Sequence, residues 1–434
     1  MRLFYNIGMW LFAGGVQIAA LFNAKARLFA QGRRDQFTRL RDAIKASTPI
    51  AWFHCASLGE FEQGRPVMEA YRQQYPQHKI LLTFFSPSGY EVRKNYDGAD
   101  WVFYLPIDTP RNARRFLKIV HPHIAIFIKY EFWDNYLRQL KKQAIPTYIV
   151  SAIFRPQQVF FKWYGSFFRQ MLKCYRYLFV QDEASVKLLK NIGIDNVVLA
   201  GDTRFDRVWA YTRHPANLPI VADFAKGHPT LVAGSTWASD EERLYKALEH
   251  FPANVRLIIA PHEIHEERLV AIERLFEKFQ PVRYTRIMEN GKWKMENEKG
   301  SHLTSHISYP RVLIIDTMGM LLSIYSYGNV AYVGGGFDVH NGVHNTIEPA
   351  AYGLPVIFGP VYKTYAEARQ LVANGGGTSV KNSQELTEVL QLLLLNDEEQ
   401  HRVGQLCAAY VGRNQGATAK VINSIKYQDK RFKE

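Results

Sequence analysis

The chain has 434 residues and a formal charge of +14, from 54 Lys+Arg against 40 Asp+Glu. At roughly 100–200 residues per domain this length makes two or three domains, and 47% hydrophobic with 14% aromatic residues excludes a disordered chain. Three scattered cysteines, Cys55, Cys174 and Cys407, exclude a disulfide framework and a structural zinc site, and fit a reducing, cytoplasmic compartment.

Leu3 to Phe22 runs for twenty residues without a charge, with Asn6 and Gln17 its clearly polar members. About 20 apolar residues span a bilayer core as a helix. Lys25, Arg27, Arg33, Arg34, Arg39 and Arg41 follow, and a positive C-terminal flank places the body of the protein in the cytoplasm. Residues 1–23 are therefore expected to form a membrane-anchoring helix. A dipping, interfacial helix fits as well as a full span, because three glycines and two amides interrupt the run. A buried helix of a soluble fold and a cleaved signal peptide are the competing readings. Against the signal peptide stands an n-region with Arg2 alone.

Short apolar runs then alternate with amphipathic stretches. Ile50–Cys55, Ile80–Phe84, Val102–Leu105, Ile124–Ile128, Thr147–Val150 and Tyr177–Val180 read as buried strands, near-continuously apolar as parallel strands are. Pro66–Tyr75 and Asn112–Val120 read as helices between them. Tyr211–Pro219, with two prolines, breaks the pattern, and 212–219 is taken as a linker. The same style returns in Thr230–Ala233, Arg256–Ala260, Val312–Ile315, Val330–Val333 and Val356–Phe358. Met288–Pro310 is polar and reads as a surface loop. The pattern predicts an α/β chain of two doubly wound domains, 24–211 and 220–434, facing a cleft. In such sheets ligands bind beyond the carboxyl ends of the strands.

Those strand ends carry the candidate chemistry. His54-Cys55-Ala56-Ser57-Leu58-Gly59-Glu60 follows the first strand, with Glu60 near a helix N-terminus. There it is either a helix-stabilising acid, worth about 0.3–1 kcal/mol, or a general base. Lys129-Tyr130-Glu131-Phe132-Trp133-Asp134-Asn135 puts a second carboxylate on the same rim, and acid–base chemistry needs such convergence. Gly201-Asp202-Thr203-Arg204-Phe205-Asp206 ends the first half, as a capped turn or as an element that aims Arg204 at an anion.

In the second half, Gly234-Ser235-Thr236-Trp237 opens a helix with an acidic start, Asp240 to Glu242. Such a turn is an anion site or an ordinary N-cap. Pro261-His262-Glu263-Ile264-His265 has two histidines three apart but no third ligand, so a metal site is disfavoured. Asp316-Thr317-Met318-Gly319 follows another strand. Gly334-Gly335-Gly336-Phe337, then His344 to Ala350 with Glu348, then Gly353-Leu354-Pro355-Val356, combine into a nucleotide-sugar pocket pattern. No Asp-x-Asp metal–diphosphate pair occurs.

Together these motifs resemble the Kdo transferases, membrane-associated glycosyltransferases that move 3-deoxy-D-manno-octulosonic acid (Kdo) from CMP-Kdo to a lipid A precursor. The likeness is carried by H-C-A-S-L-G-E (54–60), S-P-S-G (86–89), Y-L-P-I-D (104–108), E-F-W-x-N (131–135), G-D-T-R-F-D (201–206), D-T-M-G (316–319), V-G-G-G-F (333–337) and H-N-T-I-E-P-A (344–350). It implies the GT-B fold, with the acceptor on the N-terminal half and the CMP-sugar on the C-terminal half, whose last helix can pack back on the first. It implies Glu60 as general base, with Glu131 and Arg204 supporting the transition state. Ser57, Gly59, Ser235, Thr236, Pro261, His262, Met318, Gly319, Met320, Gly335, Gly336, Asn345, Thr346, Ile347 and Glu348 are the implied substrate contacts.

The chain departs from the family pattern at His262, usually arginine, at Met320, usually an acid, at Lys129, where a glutamate opens a Glu-x-Glu pair, and at Arg204, usually lysine. The resemblance implies inverting transfer with no metal and no cofactor. Its partners are CMP-Kdo, the lipid A precursor lipid IVA and the cytoplasmic face of the inner membrane of a Gram-negative bacterium, in lipopolysaccharide synthesis, with no nucleic acid. The basic surface suits an anionic leaflet at roughly 1 kcal/mol per Lys or Arg. Two rivals are a UDP-sugar enzyme of the same fold and a membrane-anchored binding protein without catalysis.

Overall fold

The computed structural model describes residues 1–45, 48–290, 310–339 and 342–431. The chain divides into two compact units, residues 1–207 with 414–434, and 208–413.

The first unit is built on a seven-stranded parallel sheet: β1 (Ile50–Cys55), β2 (Lys79–Phe84), β3 (Trp101–Tyr104), β4 (Pro122–Ile128), β5 (Thr147–Ala152), β6 (Tyr177–Val180) and β7 (Val197–Leu199), in the order β3-β2-β1-β4-β5-β6-β7. β1 shows why the strands are apolar throughout. Ile50 and Trp52 enter the core on one face, and Ala51, Phe53 and Cys55 enter the core on the other. A strand covered on both faces has no solvent side to mark with polar residues.

The second unit repeats the plan with β8 (Thr230–Thr236), β9 (Arg256–Pro261), β10 (Pro281–Arg283), β11 (Val312–Ile314), β12 (Val330–Val333), β13 (Val356–Phe358) and β14 (Gly377–Ser379), in the order β10-β11-β9-β8-β12-β13-β14. Three strands have no counterpart in the sequence reading: β7, β10 and β14. Each is three residues long and lies at a sheet edge, where little apolar surface is buried to mark it.

Strand order reverses beside β1, flanked by β2 and β4, and beside β8, flanked by β9 and β12. These are the switch points at which crevices open in doubly wound sheets. The Glu60 and Glu131 segments follow β1 and β4. Residues 235–237 run through the end of β8, and 334–336 follow β12.

The N-terminal segment departs from a straight twenty-residue span. Helix α1 (Arg2–Ala19) is followed by a second helix, α2 (Ala24–Gln31), bent from it by 120°. Among the described residues no single helix is long and apolar enough to cross a membrane, and this bent pair passes that test only together. Tyr5, Asn6, Met9, Ala13, Val16 and Ala20 form a half-buried stripe at helical spacing.

Polar atoms fasten that stripe. The Tyr5 hydroxyl donates to Asp108 Oδ2 (2.6 Å), Asn135 Nδ2 donates to Asn6 Oδ1 (2.9 Å), and Arg2 pairs with Asp134 (3.5 Å). Asp108 also accepts the amides of Asn135 and Tyr136, both at 3.1 Å. Burial pushes its carboxyl up to about 6. Phe12 meets Phe29 and Phe85, and Arg33 lies over the Phe29 ring. Leu3, Phe4, Ile7, Trp10, Leu11 and Ile18 face outward and are exposed.

The division of the chain is set by contacts on either side of it. The residues expected as a linker, 212–219, are fastened inside the second unit, where Ser323 Oγ meets the Tyr211 hydroxyl (2.7 Å) and the Ala216 amide (3.1 Å), and Tyr327 accepts from the Leu218 amide (2.9 Å). The last helix, Ala417–Arg431, belongs to the first unit. Asp206 accepts the amides of Gly416 and Thr418, both at 2.6 Å, and Val421, Ile422 and Ile425 join the core under β1 and β2. Met288–Asn290 end a helix, Tyr284–Asn290, and residues 291–309 of the expected surface loop lie outside the described residues.

Replacing Asp206 with Ala removes both acceptors at the start of the last helix. The expected cost is about 1–3 kcal/mol, read as a lower urea midpoint. Hydrogen exchange should rise at Gly416, Thr418 and the turn after them, and leave β1 and β4 protected.

Candidate functional site

On the first unit, the site residues meet at the carboxyl ends of β1 and β4. Ser57 caps the helix Leu58–Gln74, with an extended backbone, and its hydroxyl donates to Glu60 Oε2 in the first turn. Glu60 is half-buried and Gly59 exposed. Glu131 sits deeper, 5% exposed, and its Oε2 accepts from Trp133 Nε1 (2.6 Å) and meets His54 Nε2 (2.8 Å).

His54 is wholly buried on β1. Its Nδ1 lies 3.1 Å from the Thr83 carbonyl and 2.9 Å from Thr83 Oγ1, which also receives Trp52 Nε1 (2.8 Å). In the tautomer with the proton on Nε2, His54 donates to Glu131 Oε2 while Nδ1 accepts from the Thr83 hydroxyl. Glu131 is therefore held in place by a buried histidine and an indole. Tyr175 donates its hydroxyl to the Glu131 carbonyl.

Two neighbours show that the expected residues gather. Cys55, whose thiol burial pushes well up, also feels Glu60, Glu131 and Glu62. The Tyr130 hydroxyl, raised first by burial, feels Arg155, Glu60, Asp182 and Arg204. Lys129 adopts φ +70 just after β4, a strained conformation for a residue with a side chain, at the point where the chain must turn Glu131 inward. Arg204 is bound back on itself: its Nε donates to Asp202 Oδ2 (2.8 Å), and its amide to Oδ1 (2.9 Å). The GDTRFD motif thus also has a structural share, since Asp202 holds Arg204, Thr203 meets Ser151 (2.8 Å), and Asp206 caps the last helix.

On the second unit, Ser235 and Thr236 lie within the end of β8 rather than in a helix turn, and the next helix, Ala238–Leu248, starts after Trp237. Ser235 takes φ +54. Thr236 Oγ1 donates to Glu241 Oε1 (2.8 Å), so its proton is already committed. Of the acids at this helix start, Asp240 and Glu241 are interior and Glu242 is exposed. Asp240 accepts the Tyr332 hydroxyl (2.7 Å) and the amides of Trp237 and Gly335 (2.9 Å each). Glu241 pairs with Arg268, and burial pushes its carboxyl up to about 7.

Three rings stack above these acids. His262 lies 4.5 Å from His344 and 4.8 Å from Trp237, at 25° and 28°, and Trp237 Nε1 donates to His344 Nε2 (3.1 Å). Burial, with His262 alongside, lowers the His344 imidazole to about 4. Pro261 ends β9, and the His262 amide donates to the Thr236 carbonyl (3.0 Å). Gly334, Gly335 and Gly336 are buried, and a Cβ at Gly336 would strike the Gly359 backbone. Their smallness serves internal packing as well as any ligand.

Asn345 accepts the Ile347 amide (3.1 Å) and donates to Glu348 Oε1 (3.0 Å); Thr346 is buried with an unpartnered hydroxyl. Met318 is exposed, Gly319 takes φ +87, and Met320 Sδ accepts from Thr317 Oγ1 (2.7 Å). The buried Tyr325 hydroxyl, which a Cβ at Gly234 would strike, is also influenced by Glu348. Among the described residues no group of three or more His, Cys, Asp or Glu could hold a metal ion.

The sequence does not single out His54, Trp133, Asp108, Asp240, Trp237 or His344 for these tasks. His54 has one signal, as the polar residue of an otherwise apolar strand.

Residues 30–207 match the family model described as 3-deoxy-D-manno-octulosonic-acid transferase (kdotransferase). The 3-deoxy-D-manno-octulosonic acid transferase of Aquifex aeolicus (strain VF5) is 27% identical over 365 residues, 82% of this chain and 90% of that one. That of Haemophilus influenzae (strain ATCC 51907 / DSM 11121 / KW20 / Rd) is 27% identical over 391 residues, 86% of each chain. Among solved structures, UDP-GlcNAc 2-epimerase from Neisseria meningitidis, bound to UDP-GlcNAc, superposes with a TM-score of 0.58 at 14% identity, covering 87% of this chain and 100% of that one. At that identity the likeness speaks for the fold, of GT-B type, alone.

Because His344 stays neutral in the folded chain to about pH 4, the unfolded chain takes up its proton first as pH falls. Stability contributed by the stack is present above about pH 6.5 and is lost between there and about pH 4. With partial exposure allowed for, the loss is about 1–2 kcal/mol. Urea titrations at pH 7 and 4.5 should show a smaller difference for His344→Gln than for the wild type.

Proposed function

The chain belongs to the Kdo transferases, and from that membership we propose that it moves Kdo from CMP-Kdo to the lipid A precursor lipid IVA, with inversion and without a metal, Glu60 being the general base. The observation that carries the base assignment is the contrast between the two carboxylates of the β1–β4 rim. Glu131 is buried with Oε2 engaged by His54 and Trp133, whereas Glu60 is half-exposed, in a helix first turn, with Ser57 to orient it. A base has to reach a substrate hydroxyl, and of the two Glu60 can.

In the reaction the acceptor hydroxyl gives its proton to Glu60 as its oxygen bonds to the anomeric carbon. The carbon–oxygen bond to the phosphate breaks from the opposite side, and CMP leaves with the electron pair. Negative charge grows on the phosphate, and Arg204 is the cation proposed to receive it, with Asp202 fixing its fork. Glu131 keeps the rim in shape and adds negative potential beneath a centre that becomes oxocarbenium-like. The second unit takes the CMP-sugar along the β8, β9 and β12 strand ends, where His262 stands in the family's arginine position. An imidazole there stacks on Trp237 and His344 where a guanidinium would pair.

We propose further that α1 lies in the plane of the inner membrane's cytoplasmic leaflet. Its half-buried stripe is fastened to the body at Tyr5 and Asn6, and Phe12 meets Phe85 beside it, which supports an in-plane rather than a crossing helix. Its outward residues Leu3, Phe4, Trp10, Leu11 and Ile18 are the apolar face such a helix needs.

Detergent-solubilised protein given CMP-Kdo and lipid IVA should yield a product heavier by one or more Kdo units by mass spectrometry. Glu60→Gln should lower kcat by about 100- to 10,000-fold with little change in CMP-Kdo binding. No product from folded wild type, or full activity in Glu60→Gln, would overturn the assignment.

A further inference from the structure

A second feature of the first unit has no part in the chemistry above. Trp163 is 91% exposed and Tyr164 51% exposed, their rings meeting edge to face at 5.4 Å. The loop that carries them is built rather than loose. A 3₁₀ turn, Val159–Phe161, leads into it, and Phe160 is buried. Arg169 Nη1 donates to the carbonyls of Phe160 and Lys162, both at 3.1 Å, and clasps the loop from behind. Gly165 is buried against the Val159 carbonyl, where a Cβ would collide, so the chain turns back sharply after the pair. Folding thus holds an indole in water on a rigid tip.

Charge and position say what the tip meets. From Arg155 to Gln181 the sequence carries Arg155, Lys162, Arg169, Lys173 and Arg176 and no acidic residue. Lys141 joins this side, donating to the Lys173 carbonyl (2.9 Å). Phe167 packs on Tyr5 of α1 at 5.9 Å. Trp163 is four residues earlier, within at most about 14 Å of chain. The aromatic tip therefore adjoins the N-terminal end of the helix with the outward apolar face.

We infer that Trp163 and Tyr164 form a second lipid-inserting element, which with α1 makes a two-point contact with an anionic bilayer. Trp and Tyr suit the headgroup level, where the ring body is in apolar surroundings and its N–H or O–H is wet. The basic residues round the loop attract the anionic headgroups. Two contacts fix the orientation of the first unit on the surface, which one helix free to roll about its axis does not. The inference rests on the reading that the chain works at a membrane, but not on which sugar it transfers.

Flotation of the full chain with phosphatidylglycerol–phosphatidylethanolamine vesicles tests it. Trp163→Ala/Tyr164→Ala should weaken binding at least about tenfold, about 1.4 kcal/mol, with an unchanged melting curve because both side chains are exposed. Trp163→Phe/Tyr164→Phe should restore most of it. Lys162→Glu/Lys173→Glu should weaken binding to these vesicles and leave binding to phosphatidylcholine vesicles unchanged. Turnover of CMP-Kdo with detergent-dispersed acceptor should stay within about twofold in all three variants. Unaltered flotation of the alanine variant overturns the inference, whatever protein the loop then binds. Absence of turnover in the wild type overturns the catalytic reading and leaves the flotation result to stand by itself.

Discussion

In a parallel sheet covered on both faces, a polar side chain can reach water only near a strand end, and one that falls short must be met inside. Among the described residues six carboxylates are buried, Asp108, Glu131, Asp134, Asp202, Asp240 and Glu241, and four of them gather long-range partners that hold the rim. Asp108 gathers Tyr5 and the amides of Asn135 and Tyr136; Glu131 gathers His54 and Trp133. Asp240 gathers Tyr332 and the amides of Trp237 and Gly335, and Glu241 gathers Thr236 and Arg268. An unmet buried charge costs several kcal/mol, so these contacts are obligatory. Loops that would otherwise wander are placed by them to within a hydrogen bond.

The sequence shows the sheets clearly because burial on both faces writes an apolar run for every long strand. It hides β7, β10 and β14, since an edge strand of three residues buries too little to leave a mark. Motif order and strand-end position single out Glu60, Glu131 and Arg204 as candidates; both glutamates lie near Cys55, and Glu60 and Arg204 near Tyr130. The sequence hides the difference in depth between the two glutamates, because depth is set by which long-range partners arrive. His54 comes from β1 and Thr83 from β2, to serve a residue after β4. In the same way Asp240 and Glu241 look like a hydrated helix start until Tyr332 and Arg268 are brought to them.

Helix α1 reverses the usual sense of an amphipathic helix, and the reversal has a cause. Its hydrogen-bonding residues, Tyr5 and Asn6, find better partners in the body of the first unit than in water, because Asp108 and Asn135 are waiting for them. The large apolar residues Leu3, Phe4, Trp10, Leu11 and Ile18 are then left outside. Hydropathy alone reads such a segment as a span; the polar pins and the 120° bend into α2 make it a plate lying along the body. The one aspartate at position 108 thereby ties together the YLPID and EFWDN segments and the helix, which is why those stretches are spelled in that way.

The return of the last helix to the first unit makes the second unit an insertion within the first. During synthesis, β1 to β7 and the helix Leu58–Gln74 emerge early, but Val421, Ile422 and Ile425 that complete the core beneath β1 and β2 come last. Between them the ribosome must make about 200 residues, which at 5–20 residues per second takes about 10–40 s. For that interval the nascent first unit carries an uncovered apolar strip. Asp206 lacks the two amides it will cap, while α1 is already outside the exit tunnel. A nascent chain that settles on a lipid surface by α1 would be kept apart from its neighbours while that strip waits for its cover.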